Sequence, residues 1–270
     1  MSKPRPRHLA PEYAQQFRDK SVANAYLNYP PYSNEVFETL HDLMEDEPRI
    51  VLDLGCGTGE LARPLAPHVE RVDAVDTSEE MIRLGRKREG GGRSNIRWIH
   101  QSAEEFPYET RYALVVAGAS MHWMDWHVVL PKVGDALSPR GRLAIVGGHE
   151  IAAPWVEDLD GMLPGYSTNE HFGRFNVIEE LQQRNLFVVE GRRRTSARQH
   201  RVSVETYVEL LHARNGFSRQ RMTAEAAREF DTAVRDLVSP YASQEMLLLD
   251  MATTITWGHP AVRASDQGAV

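Results

Sequence analysis

The sequence predicts an α/β fold built on a doubly wound, mostly parallel sheet. Between residues 49 and 148, short apolar segments of strand length alternate with segments of helical periodicity. This alternation is typical of parallel strands joined by crossover helices. The first apolar segment also ends in a glycine-rich turn that leads into a helix, as in nucleotide-binding βα units.

Five strands are predicted in this region, each an apolar run bounded by turn residues or a helix. They cover residues 49–54, 71–76, 96–100, 112–118 and 142–148. A helix over residues 60–67 follows the first strand and is stopped by Pro67. Another helix begins after Thr77, which has capping-box spacing to Glu80. Residues 126–141 give a helix and a turn before the fifth strand.

The flanking segments have a different pattern. Residues 33–46 have helical spacing, so a helix precedes the sheet. The elements predicted after Gly148 are a helix near 175–184, a strand around 186–190, helices across 205–238 and a last strand over 247–257, which gives seven strands in total. The expected division is a lid segment over 1–32, a main domain over 33–260 with a helical lid insertion at about 205–238, and a flexible tail over 261–270.

The composition of the chain argues against several classes of partner and site. A formal net charge of −7 argues against a protein that mainly binds phosphate backbones, so no nucleic-acid partner is expected. No apolar run approaches the roughly 20 residues of a membrane span, and the N-terminus lacks the apolar stretch of a secretory signal. A cytoplasmic monomer or homodimer without membrane contact is expected. The single cysteine excludes an internal disulfide and a cysteine zinc site, and no metal is expected.

A basic stretch over residues 191–198 has two interpretations. Charge protects an exposed strand edge from pairing with other chains, which favours a solvated edge. Attraction of an anionic substrate is the alternative.

The residues most indicative of chemistry lie in VLDLGCGTGELA, residues 51–62. Gly55, Gly57 and Gly59 follow a buried strand and open a helix, which lets backbone approach a ligand closely. Asp76 ends the next strand about 20 residues later, where a carboxylate can accept hydrogen bonds from ribose hydroxyls. The alternative is a tight turn with a capping aspartate.

Glu60 indicates which nucleotide is bound. A dinucleotide fingerprint requires Gly or Ala at this position, and a carboxylate there would repel a pyrophosphate. This argues against an NAD-dependent oxidoreductase. S-adenosylmethionine has no phosphate, and its cationic groups tolerate Asp53 and Glu60 nearby.

Residues 51–62, with DAVDTSEEMI and QSAEEFP further along, resemble the class I S-adenosylmethionine-dependent methyltransferases. The likeness is to the small-molecule group that includes type 11 and trans-aconitate-methyltransferase-like proteins. It implies a Rossmann-like seven-stranded fold, S-adenosyl-L-methionine as cofactor, and in-line methyl transfer to an oxygen or nitrogen of a small metabolite.

The same resemblance implies the cofactor-binding residues, which contact the methionine part, the ribose and the adenine in turn. They are Asp53, Gly55, Cys56, Gly57, Gly59, Asp76, Thr77, Met81, Ser102, Ala103, Glu104 and Gly118. The sequence departs from the family at Ser102, where an aspartate is usual. The N-terminal segment also lacks the family's arginine, which leaves Arg18 or Tyr26 as candidates to hold the methionine carboxylate.

The loop ASMHWMDW after the fourth strand resembles the family loop that faces the methyl group and the substrate. His122 is its candidate general base, although it is equally well a packing histidine beside Trp123. The predicted substrate-binding residues are Tyr26, Tyr32, His122 and Trp123. Trp126 is expected in a pocket wall or in the core. Methyl transfer from a sulfonium needs little acid–base assistance, so a catalytic residue is not required.

The motifs have two alternative interpretations. A protein of the same fold that binds S-adenosylmethionine without transferring methyl, such as a cyclase-like protein, would have the same motifs. YPPY at residues 29–32 resembles the loop of amino-methylating nucleic-acid enzymes but lacks the residue that accepts the amino proton, and no strand precedes it.

Overall fold

A computed structural model describes residues 6–173 and 175–261 of the chain. Residues 1–5 of the predicted lid segment and residues 262–270 of the predicted tail lie outside the described residues.

The strands and helices have the following bounds. The strands are β1 (Ile50–Leu54), β2 (Arg71–Asp76), β3 (Ile96–His100), β4 (Tyr112–Gly118), β5 (Leu137–Val146), β6 (Glu150–Ala152), β7 (Phe187–Arg194), β8 (Arg198–Ser203), β9 (Met246–Ala252) and β10 (Thr254–Pro260). The α-helices are α1 (Pro11–Ala14), α2 (Lys20–Tyr26), α3 (Asn34–Asp42), α4 (Ala62–Leu65), α5 (Glu79–Lys87), α6 (Trp126–Ala136), α7 (Val156–Met162), α8 (Val177–Gln183), α9 (Val204–His212) and α10 (Ala224–Val238). Short 3₁₀ turns cover Arg7–Leu9, Gln15–Arg18, Ala66–His68, Met121–Trp123, Leu163–Gly165 and Ser239–Tyr241.

These elements form two compact units. The first, here called the sheet unit, comprises residues 32–148, 176–195 and 253–261. The second, here called the aromatic unit, comprises residues 6–31, 149–173, 175 and 196–252. The aromatic unit contains the described part of both segments that the sequence marks as lid, except Tyr32, and it is larger than those segments alone.

The sheet unit contains a seven-stranded sheet in the order β3-β2-β1-β4-β5-β10-β7. The first five strands are parallel, and β10 runs antiparallel to both of its neighbours. The predicted mostly parallel, doubly wound sheet is therefore confirmed. Strand order reverses between β1 and β4, and ligands bind such sheets at the carboxyl ends of the strands beside this reversal.

The central strands are buried because they are apolar on both sides. All of β4 except Gly118 is buried, and β1 is buried from Val51 onward. Val36 and Leu40 of α3 pack in the same core as Val51 and Leu114. Near-continuous apolar strands predict a sheet that is covered on both faces, and these strands agree with that prediction.

The aromatic unit has its own core and a three-stranded antiparallel sheet in the order β6-β9-β8. Trp155, Tyr207, Phe217 and Phe230 are fully buried in it. The rings of Phe217 and Phe230 stack with centroids 5.1 Å apart. Helices α9 and α10 lie within the predicted range of 205–238 apart from the first residue of α9, Val204.

The prediction of one last strand over 247–257 is wrong. The segment forms two strands, β9 in the aromatic unit and β10 in the sheet unit, with Thr253 between them. Thr253 and Thr195 exchange hydrogen bonds: the Thr195 amide donates to the Thr253 carbonyl at 2.9 Å, and the Thr253 amide donates to Thr195 Oγ1 at 3.0 Å. The apolar pattern conceals this break because apolar residues continue from β9 into β10. Strands β6 and β8 were not predicted, since β6 has only three residues and β8 is largely polar.

Three boundaries also differ from the predictions. Ser78, not Thr77, caps α5, and its Oγ accepts from the Met81 amide at 3.3 Å. Helix α4 begins at Ala62 because the preceding residues are used in the turns of the glycine loop. Strand β5 begins at Leu137, within a range predicted as helix and turn.

The arginines of the basic stretch lie partly on β7, at the edge of the seven-stranded sheet. Arg192, Arg193 and Arg194 are exposed. Arg193 donates to Thr39 Oγ1 at 3.1 Å and lies 3.8 Å from a Glu35 carboxylate oxygen. These positions agree with the solvated-edge interpretation.

Candidate active site

The three glycines of the loop after β1 all have left-handed backbones, with φ of 68° at Gly55, 53° at Gly57 and 78° at Gly59. A Cβ on Gly55 would lie 2.5 Å from Ser120 Cβ, and one on Gly59 would lie 2.5 Å from the Trp98 ring. A Cβ on Gly57 would meet no atom of the described residues within 4 Å. Gly55 and Gly59 therefore meet packing requirements of the protein, whereas Gly57 presents backbone that a ligand can approach.

The Asp76 carboxylate holds this loop in place. Its Oδ2 accepts from the Gly57 amide at 2.8 Å, and its Oδ1 accepts from the Ser78 amide at 2.7 Å. The Gly55 and Cys56 amides donate to the Val75 carbonyl at 2.8 and 3.0 Å. A carboxylate has about four acceptor sites, so these bonds leave Asp76 able to accept from further hydroxyls.

Asp53 lies at the end of β1 and is 1% exposed. Its Oδ2 accepts from the Ala62 amide at 3.1 Å. Burial raises the pKa of Asp53 to about 7, the Ala62 bond opposes the rise and the charge of Asp76 adds to it. A nearby cation would stabilise the ionised form. Asp53 is thus a carboxyl group suited to a cationic ligand.

Cys56, Thr77 and Met81 surround the same loop. Cys56 is buried, and burial raises the pKa of its thiol well above the usual value, which excludes it as a nucleophile near neutral pH. The Thr77 carbonyl lies 3.1 Å from His100 Nε2. The Met81 side chain is buried in the first turn of α5.

The loop after β3 contains Ser102, Ala103 and Glu104. Ser102 Oγ accepts from the Glu105 amide at 3.2 Å and so stabilises the turn. Ala103 is buried, and its carbonyl accepts from the Tyr108 hydroxyl at 3.0 Å. Glu104 Oε1 accepts from the Asp125 amide at 2.7 Å. This loop is therefore tied to the one that follows β4.

Two residues of the loop after β4 were missed by sequence reasoning. Ala119 has φ of 48°, a conformation that costs a non-glycine residue about 1 kcal/mol or more. Its amide donates to the Val146 carbonyl at 2.9 Å. Buried Ser120 donates from Oγ to the Leu54 carbonyl at 2.6 Å. No periodicity signals a left-handed alanine. The hydroxyl of Ser120, two residues before His122, was the available clue.

His122 and Trp123 lie together on the 3₁₀ turn Met121–Trp123, half-buried, with ring centroids 4.9 Å apart. Trp126 is buried and donates from Nε1 to the Met121 carbonyl at 2.8 Å, so it belongs to the core that supports this turn. The Tyr32 hydroxyl donates to the Gly147 carbonyl at 3.3 Å and lies 3.5 Å from where a Cβ on Gly118 would be.

The comparisons with known proteins agree with this geometry. Residues 51–141 match the model of a family described as methyltransferase domain. An uncharacterised methyltransferase of Schizosaccharomyces pombe is 30% identical over 138 residues, which cover 50% of this chain and 53% of that protein. A malonyl-[acyl-carrier protein] O-methyltransferase of Halalkalibacterium halodurans is 36% identical over 106 residues, 37% of this chain and 39% of that protein.

The part of the chain that is similar to a methyltransferase domain is therefore residues 51–141. For this part, the similarity agrees with the predicted class of methyltransferases. The chain spans about half the length of the Schizosaccharomyces pombe relative.

Structural comparison supports the fold. A solved protein from Anaeromyxobacter dehalogenans, provisionally named a type II methyltransferase, aligns over 87% of this chain and 99% of its own length. The TM-score is 0.62 and the identity 22%.

One argument from the sequence needs correction in this methyltransferase domain. Glu60 lies 2.6 Å from Arg63 and 3.6 Å from Arg88, and it accepts from Thr58 Oγ1 at 3.1 Å. Two arginines therefore offset its charge, and Glu60 does not by itself exclude a pyrophosphate. The cofactor class rests on the family match.

Two predicted residues belong to the aromatic unit instead of the methyltransferase domain. Tyr26 contacts Phe17 and Tyr29, with ring centroids 6.1 and 5.2 Å away. Arg18 is exposed. A role for either residue in binding cofactor or substrate stays a prediction.

Neither a metal site nor a membrane-spanning helix is present in the part of the chain that the structure describes. Within residues 6–173 and 175–261, no cluster of three or more His, Cys, Asp or Glu residues could hold a metal ion. No described helix is both long enough and apolar enough to cross a membrane.

Proposed function

We propose that the protein is a methyltransferase that takes S-adenosyl-L-methionine as methyl donor and a small metabolite as acceptor. The observation that carries the proposal is the open backbone at Gly57, fixed by Asp76 beside the reversal of strand order, within a domain that matches the methyltransferase family. A donor site at the carboxyl ends of β1 and β2 follows.

The residues fit this donor by their chemistry. Asp76 provides the carboxylate for the ribose hydroxyls, and buried Asp53 provides negative charge for the cationic amino and sulfonium groups. Ser102, Ala103 and Glu104 form the loop proposed at the adenine edge. Bound S-adenosylmethionine supplies an activated methyl group, and the protein's part is to align donor and acceptor and exclude water.

The acceptor site is proposed around His122, Trp123 and Tyr32 in the sheet unit, with Tyr26 as a further candidate in the aromatic unit. The acceptor atom is proposed to be an oxygen or a nitrogen. The alternative is a protein that binds S-adenosylmethionine without transferring methyl. Incubation with methyl-labelled S-adenosylmethionine and a metabolite extract separates the two, because only the methyltransferase moves label into a small molecule.

S-adenosylmethionine and S-adenosylhomocysteine should both raise the melting temperature. A ligand that binds only the folded state adds about 2.7 kcal/mol of stability at 100 times its Kd. Differential scanning fluorimetry measures the shift, with NAD as the matched nucleotide that should give none. A shift with NAD and none with either sulfur nucleotide would contradict the proposed cofactor.

The Asp76→Ala substitution should weaken S-adenosylmethionine binding by about 1.5 to 3 kcal/mol, the range for hydrogen bonds to a charged acceptor. The carboxylate is proposed to bind ribose, and it also holds the Gly57 and Ser78 amides. Asp76→Asn, which can accept from only one of these amides, should lie between Ala and wild type. Calorimetry measures the affinities, and exposed Glu79→Gln is the control. Unchanged binding by Asp76→Ala would show that the ribose lies elsewhere.

A further inference from the structure

The loop that follows β4 is joined to the end of β1 by the side chain of Ser120. Its hydroxyl donates to the Leu54 carbonyl at 2.6 Å, although the two residues are 66 positions apart in the chain. Main-chain pairing between β1 and β4 extends from Val51 to Asp53 on the β1 side. Ser120 therefore continues the connection between these strands one residue further, where β1 leads into the glycine loop.

The backbone around Ser120 shows that its hydroxyl is used for this contact. A serine directly before a helical turn usually accepts from an amide of that turn. In the described residues 120–123, the Ser120 side chain makes no such bond, although its carbonyl accepts from the Trp123 amide at 2.9 Å. Ala119 has φ of 48°, and a strained backbone of this kind persists only where the surrounding structure fixes it. The side chain of Ser120 thus connects the turn to β1 and does not cap the turn.

Ser120 also packs against the first residue of the glycine loop. A Cβ on Gly55 would lie 2.5 Å from Ser120 Cβ and 3.0 Å from Ser120 Oγ. Ser120 is 8% exposed and Leu54 is fully buried, so the hydrogen bond between them is largely shielded from water. Because closely packed side chains transmit displacements, a shift of the glycine loop should move the loop after β4 as well.

The turn that follows Ser120 has other anchors. Trp126 donates from Nε1 to the Met121 carbonyl at 2.8 Å, and Glu104 Oε1 accepts from the Asp125 amide at 2.7 Å. These two bonds hold the turn to helix α6 and to the loop after β3, whereas the bond of Ser120 leads to β1. Loss of the Ser120 hydroxyl should therefore displace the turn relative to the glycine loop without unfolding it.

We propose that Ser120 is a positioning residue that couples the donor site to the acceptor site. The inference rests on the proposed function, in which the glycine loop binds S-adenosylmethionine and His122 and Trp123 face the acceptor. In-line transfer requires donor and acceptor to be aligned, and a misplacement of about 1 Å can lower the rate by about 100-fold. Ser120 contacts neither reacting atom in this proposal. It fixes the spacing of the two loops that hold them.

The Ser120→Ala substitution removes the hydroxyl and keeps the Cβ that packs against Gly55. It should lower kcat by about 10- to 100-fold because the alignment is lost. The Kd for S-adenosylhomocysteine should change by less than about 3-fold, because the glycine loop keeps its bonds to Asp76 and to the Val75 carbonyl. Steady-state kinetics with the acceptor found in the labelling screen measures kcat, and calorimetry measures the Kd. A purely structural role would lower the melting temperature and leave the kcat of the folded protein unchanged.

Tyr112→Phe is the matched control. Tyr112 is 1% exposed, lies at the opposite end of β4, and donates to Asp73 Oδ2 at 2.9 Å. Both substitutions remove one buried hydroxyl donor, so both should lower the melting temperature, but only Ser120→Ala should lower kcat. Ser120→Cys keeps a weak donor and should lower kcat less than Ser120→Ala does. An unchanged kcat for Ser120→Ala, or for Ser120→Cys if the first variant does not fold, would overturn the proposal. An equal fall in kcat for Tyr112→Phe would also overturn it.

Hydrogen exchange measured by mass spectrometry tests the coupling without turnover. In the wild type, S-adenosylhomocysteine should slow amide exchange both in residues 55–60 and in residues 119–126. In Ser120→Ala, the protection of residues 55–60 should remain and that of residues 119–126 should be largely lost. Equal protection of residues 119–126 in the two proteins would overturn the coupling.

The same measurement separates this inference from the proposed function. If residues 55–60 of the wild type gain no protection, the donor site and the proposed function are contradicted. If residues 55–60 are protected and residues 119–126 are not, the role of Ser120 is refuted and the donor site stands. If both segments are protected through Ser120 but no methyl label reaches a small molecule, the coupling stands and the methyltransferase activity is refuted.

Discussion

Raising the pH from about 4 to about 8 should destabilise the wild-type protein by about 4 kcal/mol more than it destabilises Asp53→Asn. Burial raises the pKa of Asp53 to about 7 from an ordinary value of 3.8. Between these values, the folded protein keeps a proton that the unfolded chain has released. The contribution of Asp53 to the free energy of unfolding is therefore complete below the pKa that Asp53 has in the unfolded chain. It is lost as the pH rises through the pKa that Asp53 has in the folded protein.

Urea unfolding at several pH values measures this difference. Asn is nearly the same size and still offers an oxygen to the Ala62 amide, which donates to Asp53 Oδ2 at 3.1 Å. Because other groups titrate over the same range, the informative quantity is the wild-type profile minus the Asp53→Asn profile. Asp42→Asn, which removes an exposed carboxylate from the same unit, is the control, and its free energy of unfolding should depend on pH as that of the wild type does.

The same titration tests the proposed position of the donor. A cation beside Asp53 stabilises its ionised form, so saturating S-adenosylmethionine should shrink the difference between the two profiles. A flat difference profile without ligand would mean that Asp53 is ionised throughout. A difference that S-adenosylmethionine leaves unchanged would place the cationic groups away from Asp53.

The sequence predicted the parts of the fold that local chemistry specifies. The first four parallel strands are short runs bounded by turn residues, and their bounds were predicted to within one residue. The fifth, β5, begins five residues before its predicted start. The glycine loop was predicted because left-handed turns at Gly55, Gly57 and Gly59 require glycine. The sequence pattern did not show that Gly55 packs against Ser120 and Gly59 against Trp98, because both neighbours come from distant segments of the chain.

The remaining features depend on long-range contacts. The break at Thr253 depends on its pairing with Thr195, and an apolar run carries no sign of such a partner. The second role of Asp76, as acceptor for the Gly57 amide, depends on how the loop folds back.

The His122→Ala substitution should lower kcat by about 10²-fold or more if the acceptor atom is a hydroxyl or a protonated amine. Such acceptors lose a proton during transfer, and His122 is the titratable side chain proposed next to the acceptor. It is half-buried on the Met121–Trp123 turn, which Trp126 supports from the core. Steady-state kinetics with the acceptor found in the labelling screen measures the change, and exposed His127→Ala is the control.

The pH profile distinguishes a general base from a packing residue. A general base acts only when unprotonated, so wild-type kcat should rise with pH until the base has lost its proton, and His122→Ala should lose that rise. His122→Gln preserves much of the size beside Trp123, whose ring centroid lies 4.9 Å away, but it cannot take a proton. If His122 only packs, Gln should restore kcat, and the pH profile should not change. If the acceptor atom belongs to an ionised carboxylate, no proton has to be removed. The kcat values of wild type, His122→Ala and His122→Gln should then differ by much less.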